Sequence, residues 1–303
     1  MLIMNTYPKQ ILDIHQQIQT YINAGMIVPS IQEMEEALKS VGYYRLRGYC
    51  FHLYDNQAKK YKPGTSFTNV LNLYRFDAEL SHLLFSFATS IEVALRARLT
   101  EALLVHQDAL ILGDPSVFSD KSLYWKNYGV ICAEIARSND VFIKHNFQRH
   151  HGAIPIWAAV EIMSFGTLSK LIKNMNVGPA FAVLAGYYGY KTPKGNRIVP
   201  SKDMLTSWIQ AVSVLRNMCA HNSRIYNRTF NTAPKLIALD QPAAKPQYTG
   251  IYEMILAMKY LRPSDDGWKQ FVVDLNALLS KYHGVYELKR MNFPTDWAAH
   301  FQL

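Results

Sequence analysis

The most restrictive feature of this sequence is the segment from Thr65 to Leu112, which contains neither glycine nor proline. Apolar residues recur in it every three or four positions, which is the period of an α-helix with one buried face. The preceding turn, Lys62-Pro63-Gly64, marks where such a helix can begin. We therefore predict one long amphipathic helix, or two in series, with a buried stripe formed by Leu73, Phe76, Leu80, Leu83, Phe87, Ile91, Leu95, Leu99 and Leu103.

Helical periodicity also dominates the rest of the chain, and a strand signal is confined to Tyr49–Tyr54. The pattern predicts an all-α fold, a helical bundle elaborated by N-terminal and C-terminal helices. The loops divide the chain into residues 1–64, 65–230 and 231–303, which we expect to form one compact unit. The other predicted helices are Gln10–Ala24, Ile31–Ser40, Trp125–Arg149, Ile156–Asn176, Met204–His221, Ile251–Leu261 and Gly267–Tyr282.

The composition predicts a folded protein of a reducing compartment. Hydrophobic residues make up 49% of the 303 residues, enough for a sizeable core. The three cysteines are far apart and form no CxxC pair, so neither a disulfide framework nor a zinc site is expected. The first residues do not resemble a signal peptide, and the apolar stretch Leu80–Leu104 carries four charges. These observations predict a cytoplasmic protein with no membrane partner.

The net charge of +9 is concentrated in one part of the chain. Residues 161–230 contain nine Lys/Arg and two Asp/Glu, whereas the remaining segments are nearly balanced. A localised basic region is typical of a protein that binds a polyanion such as RNA. The alternative is a solvated basic face that has no partner.

A short motif lies within this basic region. Arg216 is followed directly by Asn217, and His221 comes four residues later at the end of a predicted amphipathic helix. The spacing alone is not specific, because Arg45…His52, Arg47…His52 and Arg75…His82 also fit an Arg and a His separated by four to six residues. The adjacent asparagine and the basic surroundings distinguish Arg216…His221 from these three.

The segment LRNMCAHNSRIYNR, residues 215–228, resembles the signature of the AbiD/AbiF-like abortive-infection family. In that family a helix ends in Arg-Asn, continues as Cys-Ala-His, and is followed by a basic and aromatic tail. Three earlier blocks resemble the same family in the same order: VGYYRLRGY at 41–49, LYRFD at 73–77 followed by Ile91-Glu92 and Arg96, and PIW at 155–157 followed by Glu161 and SFGTLS at 164–169.

This resemblance implies a phage-defence toxin of the HEPN superfamily of helical ribonucleases. It also implies a structured small RNA as a partner of some members. RNA can be cleaved without a metal because its 2′-OH can attack the adjacent phosphate. His221 would then act as general acid or base, Arg216 would bind the phosphate, and Asn217 would orient the imidazole or the phosphate. We expect no cofactor and no metal.

The spacing of the motif also bears on the oligomeric state. Five residues at about 100° each place Arg216 and His221 roughly 140° apart on a continuous helix. Either the helix breaks near Cys219, or two copies of the motif meet in one site. The resemblance favours the second arrangement and predicts a homodimer. The structural alternative is that Arg216 pairs with a buried acid while His221 caps a helix carbonyl.

Several further residues are candidates for RNA binding or for support of the site. Arg224 and Arg228 follow the motif directly and are candidates to bind RNA. Arg45 and Arg47 alternate with aromatic residues such as Tyr44. Basic residues among aromatic ones can bind single-stranded RNA, and the alternative is that the aromatic residues belong to the core. The supporting residues are Glu161 and the pair Glu92–Arg96, for which a surface ion pair is the simpler interpretation. His145, His150 and His151 lack further ligands at metal spacing. A non-catalytic RNA-binding module stays open as the second function.

Overall fold

A computed structural model of the protein describes residues 11–192, 194–241 and 247–303. Helices dominate these residues, which confirms the predicted all-α fold. The α-helices are α1 (Ile14–Asn23), α2 (Ile31–Ser40), α3 (Tyr43–Cys50), α4 (Phe67–Leu104), α5 (Lys121–Arg137), α6 (Val141–Arg149), α7 (Ile156–Ile162), α8 (Phe165–Asn174), α9 (Pro179–Gly186), α10 (Lys202–Ala220), α11 (Ile251–Leu261), α12 (Asp265–Lys281) and α13 (Trp297–His300).

Two short antiparallel pairs contain the strands. Strand β1 (Tyr54–Asp55) pairs with β2 (Lys60–Tyr61), and β3 (Tyr190–Lys191) pairs with β4 (Arg197–Ile198). The strand expected at Tyr49–Tyr54 is therefore displaced, because Tyr49 lies in α3. The reason is tertiary packing: the hydroxyl of Tyr49 donates to the buried carboxylate of Asp77 at 2.6 Å, and such contacts override strand propensity.

Helix α4 is one continuous helix of 38 residues, so of the two predicted arrangements the single long helix is the one observed. The predicted stripe is buried apart from Leu83 and Phe87, which are half-buried. One window of α4 is also long and apolar enough to cross a membrane, with a mean hydropathy of 1.2 and 39% of the window buried. Core helices of soluble proteins meet the same criterion.

Two predicted helices are each divided by a cap. The segment Trp125–Arg149 forms α5 and α6, because Ser138, Asn139 and Asp140 between them favour the end of one helix and the start of the next. The segment Ile156–Asn176 forms α7 and α8, because the hydroxyl of Ser164 accepts the N–H of Thr167 at 3.2 Å and starts a new helix. Conversely, the bounds predicted for α2 and α11 are confirmed.

The contacts divide the chain into two compact units. The first contains the residues up to Leu80 and Leu278–Tyr286, and the second contains Ser81–Ala277 and Glu287–Leu303. These divisions fall within α4 and α12, whereas the predicted regions end at loops. The division into residues 1–64, 65–230 and 231–303 stays a prediction.

The motif helix α10 is central to the core of the second unit. It packs against α8 and α11, and its Trp208 is fully buried. The indole N–H of Trp208 donates to the carbonyl of Lys235 at 2.6 Å, and its ring centroid lies 4.7 Å from that of Tyr260 on α11. Every residue of α11 is buried. The region after Asn231, to which no function was assigned from the sequence, therefore completes the core beneath the motif.

Candidate functional site

The C-terminal end of α10 places His221 at the protein surface. The helix is continuous to Ala220, and His221 is its exposed cap residue. Three backbone N–H groups then close the helix: those of His221, Asn222 and Ser223 donate to the carbonyls of Asn217, Cys219 and Met218 at 3.1, 3.0 and 2.9 Å. The last two bonds define a Schellman motif, in which the residue directly after the C-cap is left-handed. Asn222 has φ 50° there, a conformation that asparagine tolerates better than most residues.

Arg216 is held by three neighbours and keeps 30% of its side chain exposed. Its Nε lies 3.0 Å from Oε2 of Glu92, which makes an ion pair although the N–H does not point along a hydrogen bond. Its Nη1 donates to the side-chain oxygen of Asn217 at 3.2 Å. The guanidinium also lies over the ring of Phe85, with Cζ 5.6 Å from the centroid, a cation–π distance. One edge of the guanidinium is thus fixed while part of the group faces solvent.

Glu92 connects Arg216 to a second arginine. The residue is 3% exposed, and its Oε1 accepts from Nη2 of Arg96 at 2.6 Å. Arg96 also donates to the carbonyls of Val160 and Met163 at the end of α7, at 3.0 and 2.9 Å, where helix carbonyls lack partners within the helix. The interpretation of Glu92–Arg96 as a surface ion pair was wrong. The pair is buried because Glu92 falls on the apolar stripe of α4.

The motif does not bring its two principal side chains to the same side of α10. Arg216 to Ala220 are all helical, so side chains five residues apart leave the helix roughly 140° from each other. The backbone N–H of His221 satisfies a helix carbonyl, and Arg216 pairs with a buried acid, as the structural alternative predicted. The same contact with Glu92 also orients a guanidinium that remains partly open to solvent.

The other predicted residues are distributed over the surface. Arg228 is exposed and Arg224 is half-buried in the turn after α10. Tyr44 on α3 is 90% exposed, and Arg45 and Arg47 are exposed beside it. Glu161 lies on the exposed side of α7. The contacts of Arg216 described above come instead from Glu92, Asn217 and Phe85.

The described residues contain no group of three or more His, Cys, Asp or Glu that could hold a metal ion. Among the three histidines weighed as ligands from the sequence, His145 and His150 have ring centroids 5.3 Å apart. The chemistry available at the end of α10 is that of an imidazole, a guanidinium and an amide.

Sequence reasoning missed Phe85 and misjudged Glu92. A signal for Glu92 was present, because it lies one helical repeat from Ala88 and Leu95 in the apolar stripe, where a charged residue is expected to have a partner. Phe85 carried no such signal, because an aromatic residue in an amphipathic helix is usually part of the core.

A family model described as Abi-like protein matches residues 36–227 of the chain. The matched residues include the four blocks that resemble the abortive-infection family, apart from the last residue of the fourth, Arg228. No curated protein and no solved structure matches the chain.

Proposed function

The chain belongs to the Abi-like protein family, and on that premise we propose that it is a metal-independent endoribonuclease of the HEPN type. Membership of the family implies a role in abortive infection, a defence against phage. The observation that carries the ribonuclease proposal is the oriented guanidinium of Arg216 on α10, the helix capped by exposed His221. Buried Glu92 on α4 fixes that guanidinium.

The chemistry requires two functions from the protein. A proton must move from the 2′-OH and to the leaving 5′-oxygen, and histidine suits this task because its imidazole can accept and donate a proton at neutral pH. The phosphorane must also be stabilised, and a permanently charged planar guanidinium binds two of its oxygens. We assign the first role to His221 and the second to Arg216. Asn217 positions Arg216 through the contact of its amide oxygen.

The splayed geometry of the motif supports a composite site. Because Arg216 and His221 leave α10 in different directions, one copy of the motif presents them poorly to a single phosphate. Two copies that face each other in a homodimer would supply a His from one protomer beside an Arg from the other. The active species should therefore have the mass of a dimer in light scattering at the assay concentration, and a strictly monomeric active enzyme would exclude the composite site.

Changing His221 to alanine is expected to reduce RNA cleavage by roughly 100- to 10,000-fold, the range for removing a general acid–base. The measurement is cleavage of labelled RNA in EDTA by protein freed of nucleic acid, with 2′,3′-cyclic phosphate or 3′-phosphate ends as products. His82→Ala is the matched control, because Arg75…His82 has a similar spacing on an exposed part of α4 but lacks the asparagine. Equal loss in both variants, or full activity in His221→Ala, would contradict the assignment.

The second candidate function is a non-catalytic RNA-binding module. It is favoured by the same ion pair, because Arg216 is then a structural partner of Glu92. In that case neither the wild type nor His221→Ala cleaves RNA, while both bind it with strong salt dependence, since phosphate contacts release counterions. Cleavage by the wild type alone would exclude this function.

We propose two separate surfaces that contact RNA, each within one compact unit: the turn after α10 in the second unit and the exposed face of α3 in the first. The RNA is a substrate or a structured small RNA that regulates the protein. Arg224 and Arg228 lie in the turn, and Arg45 lies on α3 directly after Tyr44. Tyr44 and Arg47 lie on one side of α3, and Phe51 follows the helix in a 3-10 turn, with Tyr44 90% and Phe51 64% exposed. Exposed aromatic rings around an arginine are suited to base stacking and phosphate contact.

The exposed free thiol of Cys132 fits action in the reducing cytoplasm.

Tyr44→Ala is expected to weaken RNA binding by roughly 5- to 150-fold, which corresponds to the loss of one stacked base. The measurement is fluorescence anisotropy with labelled RNA. Ile11→Ala serves as a control for loss of an exposed apolar side chain from the same unit, since Ile11 is 99% exposed. Unchanged affinity in Tyr44→Ala would show that α3 does not bind RNA.

A further inference from the structure

Helix α6 is displayed at the surface of the second unit instead of being packed into it. Of its nine residues, Ile143 is the buried one. Helices of this length normally gain their stability from a buried apolar face. On α6 large apolar side chains are exposed instead: Val141 by 83%, Phe142 by 40% and Phe147 by 50%. These three side chains leave the helix in different directions, and Phe142 is the one that lies in the row of residues described below.

The charge of this segment indicates what kind of partner fits. No acidic residue occurs from Val141 to Val160, whereas the segment contains Lys144, Arg149 and three histidines. The nearest acid, Asp140, accepts the hydroxyl of Ser138 at 2.7 Å. Helix α6 thus carries positive charges and no negative one, a balance complementary to a polyanion, and Arg149 is the cation of the row described below.

Helical spacing places two rings and one cation of α6 on a single face. Phe142, His145 and Arg149 follow one another at intervals of three and four residues, so they form one row. The ring of His150 lies 5.3 Å from that of His145, at 67° to it, and extends the row beyond the helix end. Lys144 leaves the helix roughly 140° away from Arg149 and does not belong to this face.

The turn after α6 fixes the position of His150. The N–H groups of His150 and Gly152 both donate to the carbonyl of Asn146, at 3.0 and 3.2 Å. His151 between them has φ 53°, a left-handed conformation that is costly for a residue with a side chain and is retained where the surroundings determine it. The turn thus fixes the backbone that carries His150 at the end of the row.

We propose that the face formed by Phe142, His145, Arg149 and His150 binds single-stranded RNA, with the rings stacking on bases and the guanidinium contacting a phosphate. The proposal rests on the proposed function for the identity of the polyanion. It adds a second, non-catalytic contact surface that is separate in sequence from the motif at Arg216–His221. An acidic protein segment would match the charge of this face but would not use a row of exposed rings.

The test measures RNA binding in a His221→Ala background, so that cleavage does not consume the probe. The probes are a labelled single-stranded oligouridylate, a hairpin with an unpaired uridine loop, and a blunt duplex. Phe142→Ala should weaken binding of the single-stranded probe by roughly 5- to 150-fold. Arg149→Gln should reduce the slope of log affinity against log salt by about 0.7, the value for one phosphate contact on a single strand. Lys144→Gln is the matched control, with the same loss of charge from the same helix.

The outcomes separate this inference from the proposed function. Weakened binding in Phe142→Ala and Arg149→Gln, with Lys144→Gln unchanged and all melting temperatures alike, would support the inference. A loss for the single-stranded probe, with or without a loss for the hairpin, is the supporting result, whereas a loss confined to the hairpin would contradict a site for single strands. A loss confined to the duplex, or equal affinity in all variants, would overturn the inference and leave the ribonuclease proposal intact. If the parent protein binds no RNA, both proposals fail.

Discussion

Replacing Glu92 with alanine is expected to lower the free energy of unfolding by about 3–5 kcal/mol, the cost of breaking a buried ion pair by removing one partner. The substitution removes the carboxylate that lies between Arg96 and Arg216 and leaves two guanidinium groups facing a cavity. Arg96, with 14% of its side chain exposed, cannot turn to solvent as easily as Arg216. Urea denaturation followed by the fluorescence of Trp208 and Trp268, both buried in the same unit, measures the effect.

Glu92→Gln tests whether the same residue positions Arg216 for cleavage. Glutamine keeps the size and one acceptor oxygen but not the charge, so the folded state should persist while the guanidinium loses its fixed direction. We expect kcat to fall at least about tenfold, because misplacement by about 1 Å costs up to a hundredfold, while RNA affinity stays close to that of the wild type. A purely structural role predicts activity proportional to the folded fraction. Glu101→Gln is the matched control, because this exposed acid on the same helix keeps an acceptor for the hydroxyl of Tyr187 after the substitution.

The helices of this chain were predictable where one periodic face decides the structure. The absence of glycine and proline and the stripe of α4 led to the correct long helix, and α11 was located at its observed bounds because it is a short apolar run between breakers. The division of α5 from α6 was missed because the helical period continues across the break. At the end of α5 the hydroxyl of Ser138 accepts the backbone N–H of Asp140 at 3.2 Å and donates to the carboxylate of Asp140 at 2.7 Å, a local alternative to helical hydrogen bonds.

The site was predictable to the level of the motif but not of its environment. Arg216, Asn217 and His221 stand out in the sequence, and the contact between Arg216 and Asn217 is local. Glu92 is more than a hundred residues away in the sequence, and its contact with Arg216 depends on how α4 and α10 pack within the second unit. A spacing rule within one helix describes Glu92–Arg96 but carries no information about such a long-range partner.

A second buried ion pair stabilises the core beneath the motif helix, and Lys259→Met is expected to cost about 3–5 kcal/mol for the same physical reason. The Nζ of Lys259 donates to both carboxylate oxygens of Asp240, at 3.1 and 3.2 Å, and to the carbonyl of His300. Burial lowers the pKa of Lys259, and the charge of Asp240 opposes that shift without cancelling it. Removing the ammonium leaves the carboxylate of Asp240, a residue only 2% exposed, without its counter-charge.

The double variant Lys259→Met/Asp240→Leu separates the pair from its two members. Replacing both charges by apolar side chains removes the desolvation cost of each, so the loss of stability should be smaller than the sum of the single losses. We expect a coupling energy of at least about 1 kcal/mol in a double-mutant cycle followed by tryptophan fluorescence. The exposed pair Lys269–Asp266 is the control, and its cycle should show almost no coupling, because an exposed ion pair is screened by solvent. Additive losses at Lys259 and Asp240 would mean that each residue acts through other contacts. Strong coupling would show that this ion pair ties α11, which lies outside the residues matched by the family model, to the turn that contains Asp240.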